Sequence, residues 1–171
     1  MSMEPLIESM SLADLPAVTE IERLSFSSPW PAYAFEHELS ANRLARYIVS
    51  RIDGRVVGFA GIWLMVDEAH ITTFSVHPDW RRRGIGRRLL LRLADLAAEL
   101  GAARMTLEVR VSNVEAQALY AGMGFRVAGR RVAHYSDDGE DAFIMTTAEL
   151  GSAEMRSRIS ATRTRIEADG R

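Results

Sequence analysis

Cysteine and lysine are both missing from the 171 residues. Without cysteine there is no disulfide, no thiolate metal site and no cysteine nucleophile, a pattern that fits a reducing compartment. Without lysine there is neither Schiff-base chemistry nor a Walker-type phosphate loop. The chain also holds no run of the roughly 18 apolar residues that a membrane span needs. Its opening, MSMEPLIESM, lacks the basic stretch followed by an apolar one that marks a targeting segment. With 21 arginines against 23 acids the net charge is -2, so the protein as a whole is no general polyanion binder. These absences lead us to expect a soluble cytoplasmic protein with no metal, no membrane contact and no direct nucleic-acid partner.

What is present is apolar patterning. Hydrophobic residues make up 47% of the chain, enough for one compact core. PLIESM reads as a first strand. Leu12, Leu15, Val18, Ile21 and Leu24 then recur near helical spacing after Ser11, a candidate cap. Pro29 and Pro31 suit a loop entering a second helix. The period next changes to that of strands: two apolar runs flank Asp53-Gly54, a strong hairpin signal, and AHITTFSV adds a third strand. Leu89, Leu93, Leu96 and Leu100 form one face of a helix that Gly101 ends. RMTLEVR alternates as a half-buried strand. A short helix follows, with Ser112 and Glu115 at capping-box spacing, and two closing strands complete the domain. The fold class is therefore α/β, a mixed and mostly antiparallel sheet with helices on both faces, over residues 1–150. Residues 151–171 carry five arginines, three acids and no strong apolar period. They read as a tail, partly helical at most or disordered.

One segment concentrates charge. DWRRRGIGRRLL places five arginines and two glycines between Arg81 and Arg88, at a strand-to-helix junction. A helix N-terminus offers unpaired N–H groups and the positive end of the helix dipole, and glycines admit an anion close to them. The segment thus reads as a pyrophosphate cradle. A dinucleotide fingerprint fits poorly, because Leu89 stands at its third glycine and the preceding strand ends a meander.

Val76-x-Pro78 followed by Arg81-x-x-Gly84-x-Gly86 and the leucine helix resembles the acetyl-coenzyme A motif of the GNAT N-acetyltransferases. FSSPWPAYAFEHEL, LEVRVSNVEAQALYAGMGF and HYSDDGEDAFIM resemble three further segments of its RimI-type branch, the ribosomal-protein alanine N-acetyltransferases. The resemblance covers about residues 4 to 148. It implies the GNAT fold, in which a splay between strands holds acetyl-CoA. It further implies that backbone amides of Arg82, Arg83, Gly84, Ile85, Gly86 and Arg87 hold the pyrophosphate. Phe74, Ser75 and Val76 would pair along the pantetheine arm, the arginine side chains would meet the adenosine phosphate, and Asn113 would contact the cofactor.

The same resemblance makes Glu108 the general base and Tyr120 the acid that assists the departing thiolate. An α-amine, with a pKa of about 8, yields its proton more readily than a lysine at about 10.4. A phenol near 10 is a weaker acid than a thiol near 8.5, so hydrogen bonding to the thiolate is the larger expected role for Tyr120. A solvated Glu108 paired with Arg110 and a core-packed Tyr120 are the structural alternatives. Trp30 and Tyr135 align with segments flanking the acceptor groove, and Asp67-Glu68 is a candidate attractor for a cationic amine. His134 stands where the branch has a tyrosine.

The expected activity is transfer of acetyl from acetyl-CoA to the α-amine of a protein N-terminus, with an alanine of a small-subunit ribosomal protein as the implied acceptor. Attack would be direct, in a ternary complex, since no cysteine can carry the acetyl group. A monomer or weak oligomer is expected. The competing readings are a GNAT enzyme for a small amine, an antibiotic or a lysine side chain, and a non-catalytic module whose arginines bind RNA.

Overall fold

The computed structural model describes residues 4–169. One sheet of seven strands runs in the order β1-β2-β3-β4-β5-β7-β6. Strands β1 (Leu6–Ser9), β2 (Ala45–Ile52), β3 (Arg55–Met65) and β4 (Glu68–Val76) form an antiparallel meander. Asp53 and Gly54 make the β2–β3 turn, both at positive φ (50° and 78°), as a two-residue hairpin requires. Strand β5 (Arg104–Arg110) lies parallel to β4, β7 (Ala142–Thr146) pairs with β5, and β6 (Arg126–Arg131) takes the outer edge. The expected mixed, mostly antiparallel sheet is the one that forms.

The site depends on how β4 and β5 part. Their pairing covers Glu68–His70 against Arg104–Thr106 and goes no further. Just beyond, the β3–β4 register steps from Ile62↔Ile71 to Gly61↔Thr73, leaving Thr72 as an extra residue. A bulge of this kind bends its strand and sharpens its twist. Here it accompanies the separation of β4 from its parallel neighbour.

Helices cover both faces. Helices α1 (Leu15–Ser25) and α2 (Ala32–Ala41) bury Val18, Ile21 and Phe35 against Tyr47, Val49 and Phe59. On the other face lie α3 (Ile85–Glu99) and α4 (Val114–Gly122). The buried surface of α3 is wider than the leucine stripe alone, since Leu90, Leu91, Ala94 and Ala97 are buried beside Leu89 and Leu93. Gly101, at φ 83°, takes the left-handed turn after the helix. The cap of α4 shifts from expectation by one residue. Asn113 Oδ1 accepts from Ala116 N–H at 3.2 Å, while Ser112 N–H donates to Glu140 at 2.8 Å, so Ser112 and Glu115 form no capping box.

The reading of residues 151–171 as a tail outside the domain is corrected over the described part. Residues Ala153–Asp169 form helix α5, which buries Met155, Thr162 and Ile166 against the α3 and α4 side of the core. Arg163 ties it to Asp95 of α3 at 2.9 Å. Gly124, at φ 106°, accommodates Met155, whose sulfur would lie 2.8 Å from any added Cβ. The buried stripe of this helix is sparse in the sequence. Two apolar residues and a threonine at the helical spacing are diluted by arginine.

Candidate active site

The parting of β4 and β5 opens a cleft of about 970 Å³. Its β4 wall carries Phe74, Ser75 and Val76, and its floor at one end is the start of α3, with Arg82, Gly84, Ile85, Gly86 and Arg87. Glu108, Asn113 and Tyr120 face it from β5 and α4, and Trp30 and Tyr135 from the α1–α2 and β6–β7 loops. Three sequence-predicted positions, Arg83, Asp67 and Glu68, do not line it. Arg83 lines an adjoining cavity of about 430 Å³ that shares Arg82, Gly84 and Arg87 with the cleft and adds Arg88, Ile166 and Asp169, and its guanidinium lies 4.7 Å from the centre of the Trp80 ring. Asp67 and Glu68 are absent from the cleft walls, and Asp67 lies 3.8 Å from Arg104.

The α3 end is built mostly by backbone. Gly84 caps the helix at φ 80° and ψ 5°, a left-handed conformation that a side chain strains, and Arg82 before it holds φ 62°. The first bond of the helix runs from Arg88 N–H to Gly84 O at 3.2 Å, leaving the amides of Ile85, Gly86 and Arg87 at the positive end of the helix dipole. A Cβ at Gly86 would stand 3.3 Å from Leu119 and 3.6 Å from Phe74, so glycine lets α3 pack closely on β4 and α4. Several arginines are engaged within the protein. Arg81 donates to the Val76 carbonyl at 3.1 Å, Arg87 meets Asp169 at 3.4 Å and Arg88 meets Glu4 at 3.4 Å.

The opposite end is built by charged side chains. Glu108 is half-buried, with His70 Nε2 at 2.6 Å from Oε2 and Arg131 Nε at 3.3 Å from Oε1. The hydrogen bond from His70, aided by the charge of Arg131, outweighs burial and holds the carboxyl below its ordinary range. The expected alternative pairing with Arg110 does not form. Arg110 instead grips the β6–β7 loop, reaching Asp137 at 2.8 Å, Asp138 at 3.1 Å and Glu140 at 3.2 Å, and lies 3.9 Å from the centre of the Tyr135 ring. Ser27 donates to Asp137, linking the α1–α2 and β6–β7 loops. His134 stacks edge-on against Tyr135 at 4.9 Å.

Between these ends lies Tyr120, 7% exposed, edge-on to Phe74 at 5.8 Å. Burial, reinforced by neighbouring Tyr135, pushes its phenol well above the usual range, which keeps it a hydrogen-bond donor at neutral pH. Glu22 of α1 also faces the cleft. One oxygen accepts the Trp30 N–H at 3.1 Å, the other is buried without a partner among the described residues, and desolvation raises the carboxyl to about 7. Sequence reasoning missed His70, Arg131 and Glu22. His70 looked like one more residue of an alternating strand, and only the β4–β5 pairing sets it beside Glu108.

The arrangement brings the amides at the start of a helix, a carboxylate held below its ordinary pKa and a neutral phenol to one cleft. A model of the acetyltransferase (GNAT) family matches residues 15–125. The chain belongs to the GNAT acetyltransferase family. This acetyltransferase is accordingly an acetyl-CoA-dependent enzyme. A Bacillus subtilis protein, provisionally named a ribosomal protein bS18-alanine N-acetyltransferase, is 42% identical over 145 residues, spanning 85% of this chain and 96% of its own. The Escherichia coli K12 protein of that name is 38% identical over 143 residues, spanning 81% and 94%. The crystal structure of the Escherichia coli ribosomal-protein-S18-alanine N-acetyltransferase superimposes with a TM-score of 0.78 at 34% identity, covering 88% of this chain and 96% of that one. Among the described residues no cluster of three or more potential metal ligands occurs, and no helix is long and apolar enough to cross a membrane.

Proposed function

We propose that this acetyltransferase acetylates the free α-amine of a protein N-terminus, with an N-terminal alanine of a small-subunit ribosomal protein as acceptor. The observation that carries the reading is Glu108, a carboxylate kept ionised at the wall of the cleft that Tyr120 also lines. Such a base suits an amine whose pKa is only about 8. The acceptor is supported by the names of the two curated relatives, which match over nearly their whole lengths.

In this reading acetyl-CoA enters between β4 and β5. Its pyrophosphate meets the amides at the start of α3, among them those of Gly84, Ile85, Gly86 and Arg87, with the main chain of Arg82 and Arg83 completing the turn. Its pantetheine arm runs along Phe74, Ser75 and Val76. Asn113 offers its side-chain nitrogen, because its oxygen is taken by Ala116. The acceptor N-terminus lies between Trp30 and Tyr135. Glu108 takes a proton from the ammonium, directly or through water, and the neutral nitrogen attacks the thioester carbonyl carbon. The C–N bond forms, the C–S bond breaks, and the departing thiolate, stabilised by a hydrogen bond from Tyr120, takes up the second proton that the nitrogen sheds on becoming an amide, leaving free coenzyme A. No covalent enzyme intermediate is needed. The reaction belongs in the cytoplasm, with the enzyme acting as a monomer or weak oligomer.

The test is mass spectrometry of two peptides incubated with enzyme and acetyl-CoA: one with a free N-terminal alanine, the other blocked there and carrying an internal lysine. Acetylation of the first alone, weakened on the order of 100-fold or more in Glu108→Gln and about tenfold in Tyr120→Phe, is the expected result. Acetylation of the lysine peptide, or of neither while acetyl-CoA still binds, rejects the assigned acceptor.

A further inference from the structure

We infer that His70 is a positioning residue for acyl transfer, fixing the Glu108 carboxylate at the cleft wall by donating from Nε2 to Oε2. The inference rests on the reading of Glu108 as the proton acceptor. It starts from register. His70 is the last residue of β4 that pairs with β5, directly opposite Thr106, and Glu108 follows two residues on, on the same face. The two side chains therefore meet at the point where the strands separate, 2.6 Å apart. The acceptor is a carboxylate, so the short contact assigns the hydrogen to Nε2.

His70 does not itself line the cleft, whereas Glu108 does. Its influence on the reaction must pass through that carboxylate. The charged and titratable groups facing Glu108 are His70 from β4, Arg131 from β6, and His134 with Tyr135 from the β6–β7 loop. They are not equivalent. The Arg131 side chain is 55% exposed and its contact is 3.3 Å, so solvent screens it, while the His70 side chain is 25% exposed and in closer contact. A hydrogen bond to a charged acceptor in a half-buried site is among the stronger kind. Without it, burial is opposed mainly by the exposed arginine, and Glu108 protonates more readily and loses its fixed rotamer.

The experiment measures kcat, and KM for acetyl-CoA and for an alanine-terminated peptide, across pH in wild type, His70→Leu, His70→Gln, Glu108→Gln and the His70→Leu/Glu108→Gln pair, with thermal melts of each. The Leu variant should lose about tenfold in kcat, a part of the usual worth of a general base, with KM for acetyl-CoA unchanged. Its acid limb should move to higher pH, a change that a purely structural defect does not produce. Glutamine keeps an N–H donor and should recover most of kcat. In the Glu108→Gln background His70→Leu should cost nothing more. Wild-type kcat and an unmoved limb in His70→Leu, with Glu108→Gln inactive, overturns this inference alone. The same follows if His70→Gln melts like wild type yet is as slow as His70→Leu. Full activity of Glu108→Gln overturns the base assignment and the inference together.

Discussion

The two ends of the cleft are made from different materials. The α3 end is made of main chain: a left-handed glycine, Arg82 at positive φ and the amides of a first helical turn. At the β5 end it is built from side chains that hold one another, with Glu108 between His70 and Arg131, and Arg110 among three acids. Backbone geometry is set locally by a few residues and serves any ligand with the same phosphates. The side-chain end is assembled from β4, β5, β6 and two loops, and its chemistry can change one residue at a time.

Breaking the side-chain end should have the largest effect. Glu108→Gln keeps the shape but removes the proposed proton acceptor, and kcat should fall by a factor on the order of 100 or more in a steady-state assay, with KM for acetyl-CoA little changed. Equal losses in kcat and in acetyl-CoA affinity would mean that the two ends are not separable.

Glu22, on the cleft wall beside Trp30, gives a stability test. Its carboxyl is raised to about 7 from the ordinary 4.5, so the folded state binds its proton more tightly than the unfolded chain does. The stabilisation from that proton is full below about pH 4.5 and is lost as pH rises through about 7, a change on the order of 3 kcal/mol. Glutamine at this position keeps an acceptor for the Trp30 amide and carries no charge. Melts across pH should show the wild type losing stability over that window and Glu22→Gln remaining flatter. Parallel curves would remove the buried carboxyl as the cause.

The backbone end should respond to shape. Gly86→Val places atoms where even a Cβ stands 3.3 Å from Leu119, so we expect about a tenfold rise in KM for acetyl-CoA, with acceptor KM changed less. Isothermal titration with coenzyme A would show the loss directly. The smallest effect expected is that of Arg110→Gln, about threefold to fivefold in KM for the peptide acceptor. It frees the β6–β7 loop and Tyr135 while leaving the α3 turn untouched, and the effect should shrink in high salt, where the ion pairs are already weakened.

Much of the backbone end was legible from residue order, because it depends on neighbours in the chain. Gly84 and Gly86 stand at fixed spacing before a leucine-periodic helix, and Asp53-Gly54 marks its hairpin without reference to anything distant. Leu107 and Val109 likewise place Glu108 on the opposite strand face by alternation alone. The direction in which Arg81 and Arg83 turn was not legible, since their partners Val76 and Trp80 compete with any ligand only after the loop has folded. Nor was α5, whose helical stripe of Met155, Thr162 and Ile166 gains meaning from the groove beside Gly124 that receives it.

The sequence by itself determined the periodicities, the turns, the lack of a thiol or lysine nucleophile and the start of α3, all consequences of local sterics and side-chain chemistry. Tertiary structure decided which charges meet. His70 and Glu108 are 38 positions apart, and Ser27 and Asp137 are 110 apart. The first contact exists because parallel pairing sets His70 opposite Thr106, two residues before Glu108, the second because two loops meet at the same cleft. Electrostatic interaction falls with distance in space, and no local pattern in the chain specifies that distance.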